Sequence, residues 1–176
     1  YISVTGVQTC ALPIYLKTFA VVGKVTVGGD PNAIFYDNKT KRIFTIDRGS
    51  KRVSAIDPKT NKVVGTVENL GGRTEHSVSD DAGHLFLNMQ DLGTLLKIDV
   101  QTMKVTDTWK LAPCELPSSM DMDRAHNRVF IGCRSGHMTV VNGATGKIVD
   151  MQPIGKGVDA TEFDRSEEHT SELQSH

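Results

Sequence analysis

The strongest constraint on this chain is a period. "KVVGTV" (62–67), "KVTDTW" (104–109) and "KIVDMQ" (147–152) carry one pattern at intervals of 42 and 43 residues. The segments before them align too: "AIDPKTNK", "KIDVQTMK" and "VVNGATGK". Phe44, Phe86 and Phe130 follow at spacings of 42 and 44. "VVGKV" at Val21 matches "VVGTV" at Val63, and "AIFYD" at Ala33 matches "ATEFD" at Ala160. Each repeat holds four short apolar runs, such as "NAIFYD", "RIFTID", "RVSAID" and "KVVGTV". Runs rich in Val, Ile and Phe and bounded by Asp, Asn, Gly and Lys read as strands. No segment keeps a 3.6-residue apolar period, so the chain reads as all-β.

A period near 42 with four strands per unit is the mark of a β-propeller blade. The middle strands, "LLKID" and "MTVVN", are apolar at nearly every position, as sheets covered on both faces require. Asp57, Asp99 and Asn142 are each followed three residues later by Thr60, Thr102 and Thr145. A short side-chain oxygen there accepts from nearby backbone N–H groups and holds the hairpin between third and fourth strands. These Asp residues are therefore assigned to turns and not to catalysis. Three complete blades are predicted: 33–67, 76–111 and 118–153. An orphan fourth strand precedes them at 21–27 and an orphan first strand follows at 158–163. A closed propeller has roughly 4–8 blades, so the expected fold is a partial propeller whose open faces invite association.

The sequence resembles the YVTN-repeat β-propeller family. The residues that carry the likeness are "IDPKTNKVVGTV", "GGDPNAIFYD" and "IGKGVDATEFD". The turn Asn of the first copy becomes Met103 and Gly146 in the next two. The resemblance covers 15–164. It implies a periplasmic or extracellular protein and further blades of the same chain as partners, and it implies fold more firmly than function.

The two ends do not fit the repeat. "RSEEHTSELQSH" (165–176) has codons whose reverse complement, translated, reads Val4 to Ile14. Both ends thus read as opposite strands of one oligonucleotide resembling a sequencing-library adapter. Residues 1–14 and 165–176 are set aside, leaving 15–164 as the propeller domain. The whole chain has 20 Lys+Arg and 21 Asp+Glu. The tail holds Arg165, Glu167, Glu168 and Glu172, so the remainder has 19 and 18, near neutrality. That balance asks for no nucleic acid, and no apolar run reaches membrane-spanning length.

In a propeller, the loops leading into each first strand share a face with the second-to-third turns. This loop face gathers Arg48, Arg73, Glu75, His76, Glu115, Arg134 and Asp159 as candidate ligand-binding residues. Their partner would be a small molecule or protein. Arginines suit an anionic ligand or a solvated rim alike. Cys114 and Cys133 fall on this face of the third blade as two thiols or as a disulfide. With His137 and His76 they have the residue types of a zinc site, but the spacing lacks a C-x-x-C clasp. No C-x-x-C-H, P-loop or H-E-x-x-H is present, so no cofactor is assigned. His84 and His126 read as solvated turn residues, and Trp109 as a blade-packing or surface aromatic. The favoured function is non-enzymatic binding. The alternative is an enzyme fragment, a lactonase-like hydrolase or a haem- or quinone-dependent oxidoreductase, with Glu75, His76, Glu115 and Asp159 the residues to test.

Overall fold

The structure, a computed structural model, describes residues 9–164. Sixteen strands and no helix occur among the described residues. Four short strands come first: β1 (Cys10–Ala11), β2 (Ile14–Tyr15), β3 (Ala20–Val21) and β4 (Val25–Thr26). Three four-stranded sheets follow. The first is β5 (Pro31–Asp37), β6 (Arg42–Asp47), β7 (Arg52–Asp57) and β8 (Lys62–Val67). The second is β9 (Thr74–Ser79), β10 (His84–Met89), β11 (Thr94–Asp99) and β12 (Lys104–Lys110). The third is β13 (Pro117–Asp123), β14 (Arg128–Cys133), β15 (His137–Asn142) and β16 (Ile148–Pro153). Each is an antiparallel meander in sequence order, and its edges lie within two residues of the blades predicted from the repeat.

The turn chemistry explains why strands reverse where they do. Asp57 accepts from Lys59 N–H at 2.9 Å and from the Thr60 hydroxyl at 3.0 Å. Asp99 accepts from Thr102 N–H at 2.7 Å and its hydroxyl at 2.9 Å. Asn142 does the same for Thr145 at 3.1 and 3.2 Å. The residue that closes each hairpin has positive φ. In the third-to-fourth turns it is Asn61 (53°), Met103 (54°) and Gly146 (71°), and in the first two turns of the first blade it is Lys41 (55°) and Lys51 (50°). Four residues lie between the paired ends of each of these turns, a loop length usually built around a type I turn, and the left-handed residue is its last.

Strand alternation then gives each sheet two apolar faces. Phe44 and Ile46 point from the first sheet into a cluster with Leu85, Leu87, Met89 and Ile98 of the second. Phe86 and Leu95 point the other way, onto Met120, Met122, Val129, Ile131 and Val141 of the third. A fully buried Leu, Ile or Phe contributes about 1.5–3 kcal/mol relative to exposure, so these two seams hold the blades together. The Trp109 ring stacks on Phe86 at 6.3 Å between centroids, which makes it a packing residue.

Three expectations need adjustment. The fourth strand expected over 21–27 is interrupted at Val22, Gly23 and Lys24, and its halves pair backwards: β3 with β2, β4 with β1. That draws in residues 9–14, which the sequence set aside. Ala11 packs with Val25, Val27, Ile43 and Ile56, because "CALPI" is apolar and the outer face of the first blade offers an apolar surface. Residues 1–8 and 165–176, also set aside, lie outside the described residues. At the other end, 158–163 takes the place of a next first strand without a strand ladder. It is held instead by Ser118 Oγ on Val158 O (2.6 Å), Ser119 against Thr161 (2.7 Å) and Phe163 N–H on Asp121 (2.8 Å). Phe163 stacks on Phe130 at 5.5 Å. At His84 and His126 the adjustment is an addition: both lie at first-to-second turns as expected, with His126 largely solvated, and each ring also clasps the carboxylate that caps its own turn, Asp80 at 2.8 Å and Asp123 at 2.6 Å.

Candidate functional site

The loop face is assembled by one hydrogen bond used three times. The N–H of Arg48 donates to Asp30 O (2.9 Å), that of Gln90 to Arg73 O (2.9 Å) and that of Arg134 to Leu116 O (3.1 Å). Each bolts a second-to-third turn to the loop leading into the same blade. Residues 17 or 18 apart in sequence are thereby brought side by side. Beneath the first of these junctions Asp47 is buried and accepts from Gly28 N–H (2.9 Å), Ser54 Oγ (2.6 Å) and Arg52 Nε (3.2 Å). A Cβ on Gly28 would sit 2.5 Å from the Asp47 Cβ, so the first glycine of "VGGD" serves close backbone approach to this carboxylate.

The largest convergence joins the first two blades. Arg48 Nε donates to Asp30 Oδ2 at 2.7 Å. Glu75 Oε2 lies 3.8 Å from Arg48 Nη1 and 3.6 Å from Arg73 Nε. The Glu75 side chain is 10% exposed, Arg48 30% and Arg73 48%. Glu75 Oε2 has no hydrogen-bond partner, the two guanidinium contacts being too long. Asn32 Nδ2 donates to Glu75 O at 3.4 Å, closing the seam from the first blade. The Arg48 hydrogen bond, with the charges of Arg48 and Arg73, holds the Asp30 carboxyl below its ordinary range against an opposing burial effect. Arg48 is raised by the same bond.

The remaining candidates separate from this cluster. Strand alternation turns His76 away from Glu75. Burial lowers its pKa, more than the charges of Asp121 and Glu75 raise it, and its Nδ1 has no partner. Arg134 pairs with Asp159 at 3.4 Å at the third blade. Glu115 is exposed, and its backbone N–H meets Ser135 Oγ at 3.3 Å. Cys114 and Cys133 form a disulfide, with Cα atoms 5.5 Å apart. The zinc arrangement of Cys114, Cys133, His137 and His76 is thereby overturned, since sulfurs bonded to each other are not thiolate ligands. Glu75, His76 and Glu115 do not meet as a metal-binding group either; no three His, Cys, Asp or Glu residues do so among the described residues. Asp30 is the residue the sequence undervalued. Its signal was the repeat register, which places it opposite Arg48.

Radial four-stranded meanders stacked face to face, with loops of successive blades converging on one rim, define a partial β-propeller. The chain is similar in structure to the dihydro-heme d1 dehydrogenase NirN in complex with DHE, with a TM-score of 0.69 and 17% sequence identity. That likeness covers 85% of this chain and 34% of the dehydrogenase. It is similar also to Kuenenia stuttgartiensis hydrazine synthase, with a TM-score of 0.63 and 19% identity over 73% of this chain and 39% of the synthase. This chain thus spans between a third and two fifths of either neighbour's length. At these identities the likeness is one of fold. No protein-family model matches the chain, and no curated protein matches it in sequence. No helix among the described residues is long and apolar enough to cross a membrane.

Proposed function

We propose that this chain is a ligand- or protein-binding section of a YVTN-type propeller that acts outside the cytoplasm and is completed by further blades of its own chain. The observation that carries the binding reading is the Asp30–Arg48–Glu75–Arg73 cluster. It is built from two blades, seated on a nine-tenths buried carboxylate, and fixed by backbone bonds that repeat around the rim. The Cys114–Cys133 disulfide supports an oxidising compartment. Mutually reverse-complementary ends support reading 1–14 and 165–176 as translated adapter, with β1 docked on the first blade as an apolar passenger.

The test is a mapping experiment. Backbone amide NMR of the full chain, recorded against a small-molecule collection, should show responses clustered on the lead-in loops and second-to-third turns. Responses confined to the opposite face, or none on the loop face, would overturn the reading.

A second reading has its own observation. Both structural neighbours are named as enzymes, and burial lowers the pKa of His76, whose Nδ1 has no hydrogen-bond partner and so stands open to a proton. Under this reading turnover of a lactone or of a quinone acceptor is detectable and is lost in His76→Gln while loop-face binding persists.

A further inference from the structure

We infer that the perimeter of the arc, formed by its outer strands, is built to refuse an added β-strand, including one from a second copy of this chain. The inference is independent of the binding reading above. β8, β12 and β16 each stand at the edge of a sheet, and among the described residues none has a further strand beside it. Such an edge offers N–H and C=O groups to any extended chain. It is also apolar in places: Val64, Val105 and Val149 are 47%, 40% and 41% exposed.

The pairing register shows the guard. The middle pairs, β6–β7, β10–β11 and β14–β15, run without a break. Each outer pair breaks once, at the same step. Ile56 pairs with Val63 and Ala55 with Gly65, so Val64 is an extra residue. Ile98 pairs with Val105 and Lys97 with Asp107, which leaves Thr106 over. Val141 pairs with Ile148 and Val140 with Asp150, which leaves Val149 over. The three extra residues are 42 and 43 apart, on the period of the repeat, and all are exposed. The inner pairs shift as well, but where a lead-in loop enters the blade. No loop enters at 64, 106 or 149. One extra residue sets the edge groups on its two sides out of step by about 3.3 Å and sharpens the local twist. A regular strand laid along this edge can follow it on one side of the bulge but not on both. Side chains add to the effect. Thr106 Oγ1 donates to Lys97 O at 3.2 Å, and Asp150 accepts the Met151 N–H at 2.8 Å. Lys62, Lys104 and Lys147 open the three outer segments at the same spacing, and a charge on an edge opposes a second copy of itself.

The test deletes Val64, Thr106 and Val149 from the full chain, singly and together, which leaves the flanking pairs in register. In sedimentation velocity the triple deletion should associate at concentrations about tenfold lower than the unmodified chain, the shift expected when roughly three more cross-strand pairs form between copies. An intermolecular β band should rise with it in the infrared spectrum. Association through open blade faces is common to both chains and cancels in the comparison. Equal association of the folded chains overturns the inference, and the bulges then serve blade twist alone. A second arm needs no variant to fold. The peptide Lys-Val-Asp-Thr-Trp-Lys, which copies β12 without Thr106, is titrated into the nitrogen-15-labelled unmodified chain. The amides of β8, β12 and β16 should stay unmoved there and should shift in any folded deletion variant. Saturable shifts along these strands in the unmodified chain overturn the inference whatever the deletions do.

Discussion

Ser79 Oγ donates to Asp37 Oδ1 at 2.5 Å across the seam between the first two blades. Asp37 is fully buried, and its other oxygen takes Thr40 N–H at 2.7 Å and Thr40 Oγ1 at 2.6 Å. One carboxylate thus fixes a turn within its own blade and a strand of the next. Removing the Ser79 hydroxyl strands a buried acceptor, which costs about 1–3 kcal/mol. Ser79→Ala should lower the unfolding free energy by that amount in urea titrations. An unchanged midpoint would show that the seam is held by apolar contact alone.

The disulfide makes a prediction of the opposite kind, through the unfolded chain. Cys114 and Cys133 are 19 residues apart, and closing a loop of that length removes unfolded-state entropy equivalent to about 3 kcal/mol. Cys133→Ser should lower the denaturation midpoint, and a reducing agent should lower it equally in the unmodified protein. Reductant should have no effect on the variant. A midpoint indifferent to reductant in the unmodified protein would show that the bond does not form in solution.

Most of this architecture was legible in the sequence because it is local and repeated. Four apolar runs and an Asp-x-x-Thr turn need only neighbouring residues, and a repeat of 42 superposes them. Phe44 and Phe86 occupy matching strand positions, and their seams follow from alternation. The site was less legible. Arg48, Glu75 and Arg73 belong to different turns and strands, and only packing decides that they meet while Glu115 stays apart. Burial of Asp47 under Gly28 is not written in either residue's neighbourhood. The clasps of His84 and His126 were missed for a simpler reason: each partner lies within four residues, but neither Asp80 nor Asp123 carries the Asp-x-x-Thr pattern that marks the other turns.

The hairpin residues offer a stabilising change. Lys41 and Lys51 are exposed and hold φ near +50°, where a Cβ crowds the backbone. Glycine takes that conformation freely, and the strain relieved exceeds the added unfolded-state entropy. Lys41→Gly and Lys51→Gly should each add about 0.5–1 kcal/mol. Gly146→Ala should do the reverse. There a methyl group meets both positive φ and the Trp109 ring, so the loss should exceed about 2 kcal/mol. Equal responses at Lys41 and Gly146 would show that backbone strain does not govern these turns.

Acid stability should fall in two stages, because two kinds of group have depressed pKa values. His76 is one: its ordinary value is 6.5, and burial lowers it in the folded chain despite Asp121 and Glu75. Below pH 6.5 the unfolded chain therefore binds a proton that the folded chain resists. Stability is complete above that pH and declines as pH falls toward the folded value. The second stage belongs to the carboxylates. Burial raises Asp80, but the His84 and Ala82 N–H groups and the His84 ring outweigh it and hold the carboxyl low. Asp99 is held low first by Thr102 N–H and hydroxyl. Their contribution is present above the ordinary value of 3.8 and is lost as pH falls through the lower folded values. Urea titrations between pH 8 and pH 3 should show a first decline starting near 6.5, and His76→Gln should flatten that stage while leaving the acid one intact. A first stage that survives His76→Gln would transfer it to another group and remove the ground for reading His76 as a proton acceptor.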